Sequence, residues 1–307
     1  MKALIHIGIP KSGTSSIQAF LAMNRARLAR QDVLYAPFTP AFGSQFEFAV
    51  TALQACGQTI APELERRTLR LRNIDDQQAY VARYAQFLDT VLERSDARLF
   101  LGSSEHLHAW LRTPDQIAAL DDFLCERFAQ VDYLVYLRRP EELVISSYSE
   151  AIRRGAKHDF TTHLARNGTV AYWKALKPWV QVVGAGRLTV RLVCPDALQD
   201  GDLLADFAAL AGIELRGMQR PARVNAALSA QEIALRRRLN GVLPVLGRNG
   251  GLHWGYRAAL LALGSVLARD PGRLHLTAAQ HADIRARNAA EIERLCKKLC
   301  PEFKALF

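Results

Sequence analysis

The succession of apolar runs and helical periods in this sequence predicts an α/β fold: a central parallel sheet with helices on both faces, followed by a helical C-terminal extension. Two observations predict it. Short strand-length apolar runs alternate with amphipathic stretches through the first two-thirds of the chain, which is the signature of a covered parallel sheet. After Pro221 only helical patterning remains, and Ser229-Ala230-Gln231-Glu232 and Thr277-Ala278-Ala279-Gln280 each fit the capping box that opens a helix. We read 1–220 as the α/β core and 221–307 as the extension packed on it, a single domain overall.

The elements can be justified in turn. Residues 3–7 are an apolar run of strand length, and 14–29 carry Ile17, Phe20, Leu21 and Leu28 at helical spacing on one face. Residues 64–93 are helical in period, with a break near 73–76. Residues 98–101 form a short apolar strand followed by the polar turn Gly102-Ser103-Ser104-Glu105, and 114–128 a helix. Residues 132–137 make the next strand. Pro140 then suits the first turn of a helix running to Ile152, because its missing N–H is not needed there. In the same reading Trp173 and Trp179, with Leu176 between them, fit a buried helical face, 188–193 a strand, and 203–211 a helix ended by Gly212. Leu246-Gly247-Arg248-Asn249-Gly250-Gly251 reads as a flexible loop.

Composition narrows the function classes. The chain has 307 residues, half of them hydrophobic, enough to bury a substantial core. The apolar stretch 252–268 is interrupted by Arg257 and is short for a bilayer, so a buried helix is expected there rather than a membrane span. Residues 3–7 are too short for the apolar part of a signal peptide, and a cytoplasmic protein is expected. The five cysteines, Cys56, Cys125, Cys194, Cys296 and Cys300, include no CxxC pair and read as reduced core thiols. A net charge of +10 suits anionic partners. The clusters Arg66, Arg67, Arg70, Arg72 and Arg236, Arg237, Arg238 lack the interleaved aromatics of a nucleic-acid platform. They fit solvated helix faces or an acidic acceptor bound across them; peripheral contact with anionic lipid headgroups is also open.

The chemistry concentrates after the predicted strands. His6-Ile7-Gly8-Ile9-Pro10-Lys11-Ser12-Gly13-Thr14-Ser15-Ser16 has the ingredients of an anion cradle: helix N-terminal amides, a glycine, the hydroxyls of Ser12, Thr14, Ser15 and Ser16, and the ammonium of Lys11. In the nucleotide triphosphatase loop the lysine follows the second glycine. Here Thr14 follows Gly13 and the lysine comes first, which points to a nucleotide other than a Mg-bound triphosphate. The turn at Ser103-Ser104-Glu105-His106 and the segment Arg138-Arg139-Pro140 follow two further strands, and in open parallel sheets ligands bind at the carboxyl ends of strands.

These residues resemble a known family. Pro10-Lys11-Ser12-Gly13-Thr14-Ser15 looks like the 5′-phosphosulfate loop of sulfotransferases that use 3′-phosphoadenosine 5′-phosphosulfate (PAPS). The segment from Tyr136 through Arg138 to Ser146 and Tyr148 looks like their 3′-phosphate motif, an arginine after a strand and a serine eight residues later. The resemblance implies a P-loop nucleotide-hydrolase-like fold and in-line transfer of a sulfuryl group from PAPS to an acceptor hydroxyl or amine. It leaves adenosine 3′,5′-bisphosphate (PAP) as product and requires no metal. It assigns Lys11, Ser12, Gly13, Thr14, Ser15 and Ser16 to the 5′-phosphosulfate, Arg138 and Ser146 to the 3′-phosphate, and Lys11 to charge growing on the leaving phosphate.

Glycan-modifying members place a glutamate in a turn comparable to that of Glu105, and small-molecule members a histidine, so His106 and His108 rival Glu105 as the base. A carbohydrate or glycolipid acceptor, with an acidic glycan among the candidates, is the corresponding expectation. The Arg-Lys-Gly type loop that closes many members over the nucleotide has only Gly247-Arg248-Asn249-Gly250-Gly251 as a counterpart, and 103–107 and 225–239 have the flavour of bacterial members. His6 reads as a strand residue supporting the loop, Tyr148 as core packing, and Arg139, Arg153 and Arg154 as helix-end or surface charges. The readings that stand beside this one are a kinase or nucleotide hydrolase with an atypical loop, and a non-catalytic nucleotide-binding protein.

Overall fold

A computed structural model describes residues 1–39, 42–222, 228–246, 251–267 and 272–307, with side chains 263–267 excepted. The glycine-rich loop at 247–250 and residues 225–227 lie outside the described residues. The chain divides into two compact units, one made of 1–138, 171–224 and 291–307, the other of 139–170 and 225–290.

The first unit is built on a five-stranded, all-parallel sheet in the order β2-β3-β1-β4-β5. Its strands are β1 (Lys2–Ile7), β2 (Val33–Leu34), β3 (Leu99–Ser104), β4 (Gln130–Leu137) and β5 (Leu188–Leu192). Seven helices of this unit lie between or beside them: α1 (Thr14–Met23), α2 (Arg25–Ala29), α3 (Glu47–Ala55), α4 (Glu63–Leu69), α5 (Ile74–Glu93), α6 (His106–Trp110) and α7 (Pro114–Cys125). The pleat sends alternate side chains to opposite faces. Leu99, Leu101, Leu134 and Tyr136 pack with Ile17, Phe20, Leu21 and Phe207 on one face. Phe100 meets Phe48 and Phe128, and Tyr133 meets Trp179, on the other. Two buried carboxylates fasten the sheet to its helices. Tyr133 and Arg187 both donate to Asp121, and Tyr136 and Arg191 both donate to Asp206.

The second unit opens with α8 (Pro140–Arg153) and α9 (Phe160–Asn167). The chain then returns to the first unit for α10 (Tyr172–Val183) and α11 (Leu203–Ala211), which ends on Gly212 at φ 60°. α12 (Ala230–Val242) and α13 (Trp254–Leu267) belong to the second unit, and α14 (Ala278–Leu299) runs to residue 299. The amide of Gln280 donates to the Thr277 hydroxyl and the Thr277 amide to the Gln280 side chain, a complete capping box, whereas at Ser229 the Glu232 amide donates to the hydroxyl while the Glu232 carboxylate takes Arg236. Among the described residues no helix is long and apolar enough to cross a membrane.

Several sequence expectations are corrected. The single helix expected over 14–29 is broken at Asn24, whose side-chain amide donates to the Phe20 carbonyl and to that of Gln219. Gly102, Ser103 and Ser104, expected as a turn, are the buried end of β3, because their polar groups find partners inside. The stretch 252–268, expected as a buried helix, exposes Trp254 and Leu261 at 79% and 73%, while Tyr256 is buried; residue 268 is outside the described set. Cys194, Cys296 and Cys300 are buried thiols, whereas Cys125 is exposed.

Candidate functional site

β3 and β4 flank β1, so the chain changes direction across the sheet at β1, and the carboxyl ends of these three strands share one edge. In register, Ile7 stands opposite Ser104 on one side and Val135 on the other. The loop after β1, Glu105 after β3 and Arg138 after β4 therefore leave the sheet side by side within the first unit.

The β1–α1 loop is tightly wound. The Gly8 amide donates to the Ser104 carbonyl at 2.9 Å, the Ser12 amide to Ile9 at 3.2 Å, and the Thr14 hydroxyl to the same Ile9 oxygen at 3.1 Å. Lys11 sits at φ 66°, in the left-handed region that side-chain-bearing residues seldom enter, at a cost of about 1–2 kcal/mol. Two glycines are required by contact. A Cβ on Gly8 would lie 2.9 Å from the Glu105 Cα, and Gly13, at φ 85°, has Leu203 Cδ2 where its Cβ would go. α1 then begins with no side-chain cap and no acidic residue in its first turn. Its positive N-terminal end is thus left for an external anion. The Ser12 hydroxyl is buried without a hydrogen-bond partner, an unsatisfied group that a bound phosphate or sulfate oxygen would satisfy.

Arg138 donates from Nη1 to the Lys11 carbonyl at 3.1 Å, and its own carbonyl accepts from the Tyr172 hydroxyl at 2.7 Å. That fixes a guanidinium beside the loop. Ser146 lies on α8 in the second unit and is half-buried. Tyr148 is buried there with its hydroxyl donating to the His158 carbonyl, as core packing.

Glu105 opens α6 and lines a cleft of about 470 Å³ together with Ser15, Gln18, Phe46, Glu65 and His106. Its amide donates to the Ser44 hydroxyl, which also meets His106 Nδ1 at 2.8 Å. The His106 ring is wedged between Phe46 and Trp110, and burial lowers its pKa to about 4, so the imidazole is neutral at pH 7. His108 is likewise lowered to about 4 by burial and by Arg112. His6 is buried with Nδ1 against the Ser103 hydroxyl at 2.9 Å, and burial lowers it to about 3. It supports the end of β3 from below the loop.

Ser44 is the site residue that sequence reasoning missed. It comes from irregular chain between β2 and α3, and no local pattern marks it. Among the described residues no group of three or more His, Cys, Asp or Glu side chains is placed to hold a metal ion.

No protein-family model matches the chain, and no curated protein matches it. Among solved structures, a sulfotransferase from Alicyclobacillus acidocaldarius aligns over 91% of this chain and 98% of its own, at 15% identity and a TM-score of 0.39. The sulfotransferase domain from the curacin biosynthetic pathway aligns over 85% and 96%, at 12% identity and the same TM-score of 0.39. At that score neither alignment establishes a shared fold.

Proposed function

We propose that this chain is a sulfotransferase that moves a sulfuryl group from PAPS to an acceptor hydroxyl, in the first instance that of a carbohydrate or glycolipid. One observation carries the reading: the lysine-first loop, with its uncapped helix end and unsatisfied Ser12 hydroxyl, is tied directly to Arg138 and pressed against Glu105.

In this reading the amides at Gly13 to Ser15 and the Ser12, Ser15 and Ser16 hydroxyls take the 5′-phosphosulfate, the Ser16 amide being already engaged with the Gly13 carbonyl at 2.9 Å. The Thr14 hydroxyl already donates to Ile9, so Thr14 offers chiefly its amide. Arg138 takes the 3′-phosphate with a charge-assisted fork, and the eight-residue spacing to Ser146 adds a hydroxyl from sequence alone. A second phosphate held this way is what separates PAPS from ATP.

The acceptor oxygen attacks sulfur in line as the bond from sulfur to the bridging phosphate oxygen breaks. The acceptor proton passes to the Glu105 carboxylate, and the new negative charge on the departing PAP is offset by Lys11. His106, neutral and held by Ser44, shapes the cleft beside Glu105 rather than taking the proton.

Sulfate transfer tests this. Incubated with PAPS labelled in its sulfate and an extract of the source cell, the protein should move label into a product, and Lys11→Ala should abolish that transfer. Release of phosphate from ATP with Mg, and no label transfer, would replace the reading with nucleotide hydrolysis.

A further inference from the structure

α4 separates two clefts. Leu64, Glu65 and Thr68 line the cleft that holds Glu105 and His106. Glu63, Arg66, Arg67 and Arg70 line a second cleft of about 660 Å³, completed by Leu71 and Arg72. At 100° per residue, positions 63, 66, 67 and 70 fall on one side of a helix and 64, 65 and 68 on the other. The two clefts therefore flank a single helix, about 10 Å across.

Their charges are opposite. The Glu105 cleft carries two carboxylates, Glu65 and Glu105, beside the aromatic rings of Phe42 and Phe46 and the polar groups of Gln18, Ser44 and Thr68. Such a lining suits a polyhydroxyl ring. The second cleft carries four guanidinium groups. Arg67 is paired with Glu63 at 2.5 Å and Arg72 with Asp76 at 3.1 Å. Among the described residues Arg66 and Arg70 have no carboxylate partner, and Arg66 Nε is buried without a hydrogen bond. Arg70 caps α4 in the left-handed conformation at φ 59°, and this turn brings Leu71 and Arg72 back along the same cleft. Two uncompensated guanidinium forks on one wall match the oxygen pairs of a carboxylate or sulfate.

Resting on the sulfotransferase reading, we propose that the acceptor is an acidic saccharide. Its hydroxyl-bearing residue occupies the Glu105 cleft, and a carboxylate or sulfate on the same molecule, about one helix diameter away, is held by Arg66 and Arg70. The rule of selection is then charge at a distance: a neutral saccharide fits the first cleft but lacks the second contact.

Binding to the full chain, saturated with PAP, tests this with four probes: tetragalacturonate, maltotetraose, phosphatidylglycerol vesicles and a short oligoribonucleotide. Tetragalacturonate should bind, weaken steeply with salt, and lose at least tenfold in affinity in Arg66→Ala/Arg70→Asn, while Arg237→Ala/Arg238→Ala leaves it unchanged. Arg70→Glu, an exposed substitution at a helix cap, should give the same direction of loss if the double variant folds poorly. Equal binding of maltotetraose, or tetragalacturonate affinity untouched by either α4 variant, overturns the proposal. Tighter capture of vesicles or oligoribonucleotide, lost in the same variants, overturns it in favour of lipid or nucleic acid. Thermal stabilisation by PAP on the same samples separates the two readings. Its absence from the wild type sinks the donor assignment, whereas its presence with saccharide binding indifferent to Arg66 and Arg70 sinks only the acidic acceptor.

Discussion

Arg138 Nη1 donates to the main-chain oxygen of Lys11 at 3.1 Å, so the residue that follows β4 is fastened to the loop that follows β1. The bond holds the guanidinium beside the loop where a 3′-phosphate would sit. Arg138→Ala should weaken PAP by about 10- to 150-fold, the loss of a hydrogen-bonded charge worth about 1.5–3 kcal/mol. Adenosine 5′-monophosphate, which lacks the 3′-phosphate, should lose much less. Titration calorimetry with both nucleotides decides it: equal losses would make Arg138 a brace for Lys11 and nothing more.

Gly13 is held by backbone and by packing at once. Gly13→Ala forces a side chain into φ 85° and into contact with Leu203, and should cost at least about 2 kcal/mol in urea unfolding. Adding Leu203→Ala should return the packing share and leave the backbone share, so the double variant should lie between the two limits. Full recovery would show that the left-handed backbone costs nothing there.

The proposed transfer gives Glu105 and Lys11 separable duties. Glu105→Gln should lower kcat about 10²- to 10⁴-fold while PAP affinity stays within about twofold, since general-base catalysis acts on the acceptor proton. Lys11→Ala should reduce both. A Glu105→Gln enzyme of normal rate would shift the base elsewhere in the cleft.

Acid should destabilise the protein through its buried histidines. The folded-state pKa of His6, about 3, lies below the unfolded value near 6.5, so the unfolded chain binds the extra proton as pH falls between them. The stability this residue contributes is complete above pH 6.5 and is lost on the way down toward 3; His106, at about 4, acts in the same direction. His6→Gln should therefore flatten the fall in unfolding free energy between pH 6.5 and 5 by up to about 1.4 kcal/mol per pH unit. Parallel curves for wild type and variant would refute the assignment.

The sheet was largely legible because β1, β4 and β5 are bounded apolar runs and α11 closes on a glycine. α3 was not: residues 47–53 are buried all round, so no polar face marks a helical period. β2 has two residues and no run to read. Ser103 and Ser104 looked like turn residues because their partners, His6 and Ser44, lie 97 and 60 residues away in sequence. In the candidate site the loop and Arg138 announced themselves by local motif, whereas the hydroxyl of Ser44 and the clefts flanking α4 depend on tertiary placement. The spacing of 63–70 gives α4 its two faces, but not the clefts that they line.

The loop's choice of nucleotide is tested most directly by thermal unfolding with ligand. PAP without metal, at about a hundred times its Kd, should stabilise the protein by about 2.7 kcal/mol and raise Tm by several degrees, and Lys11→Ala should abolish the shift. ATP with Mg should give little or none. A clear shift with Mg-ATP and none with saturating PAP would contradict the account at its centre.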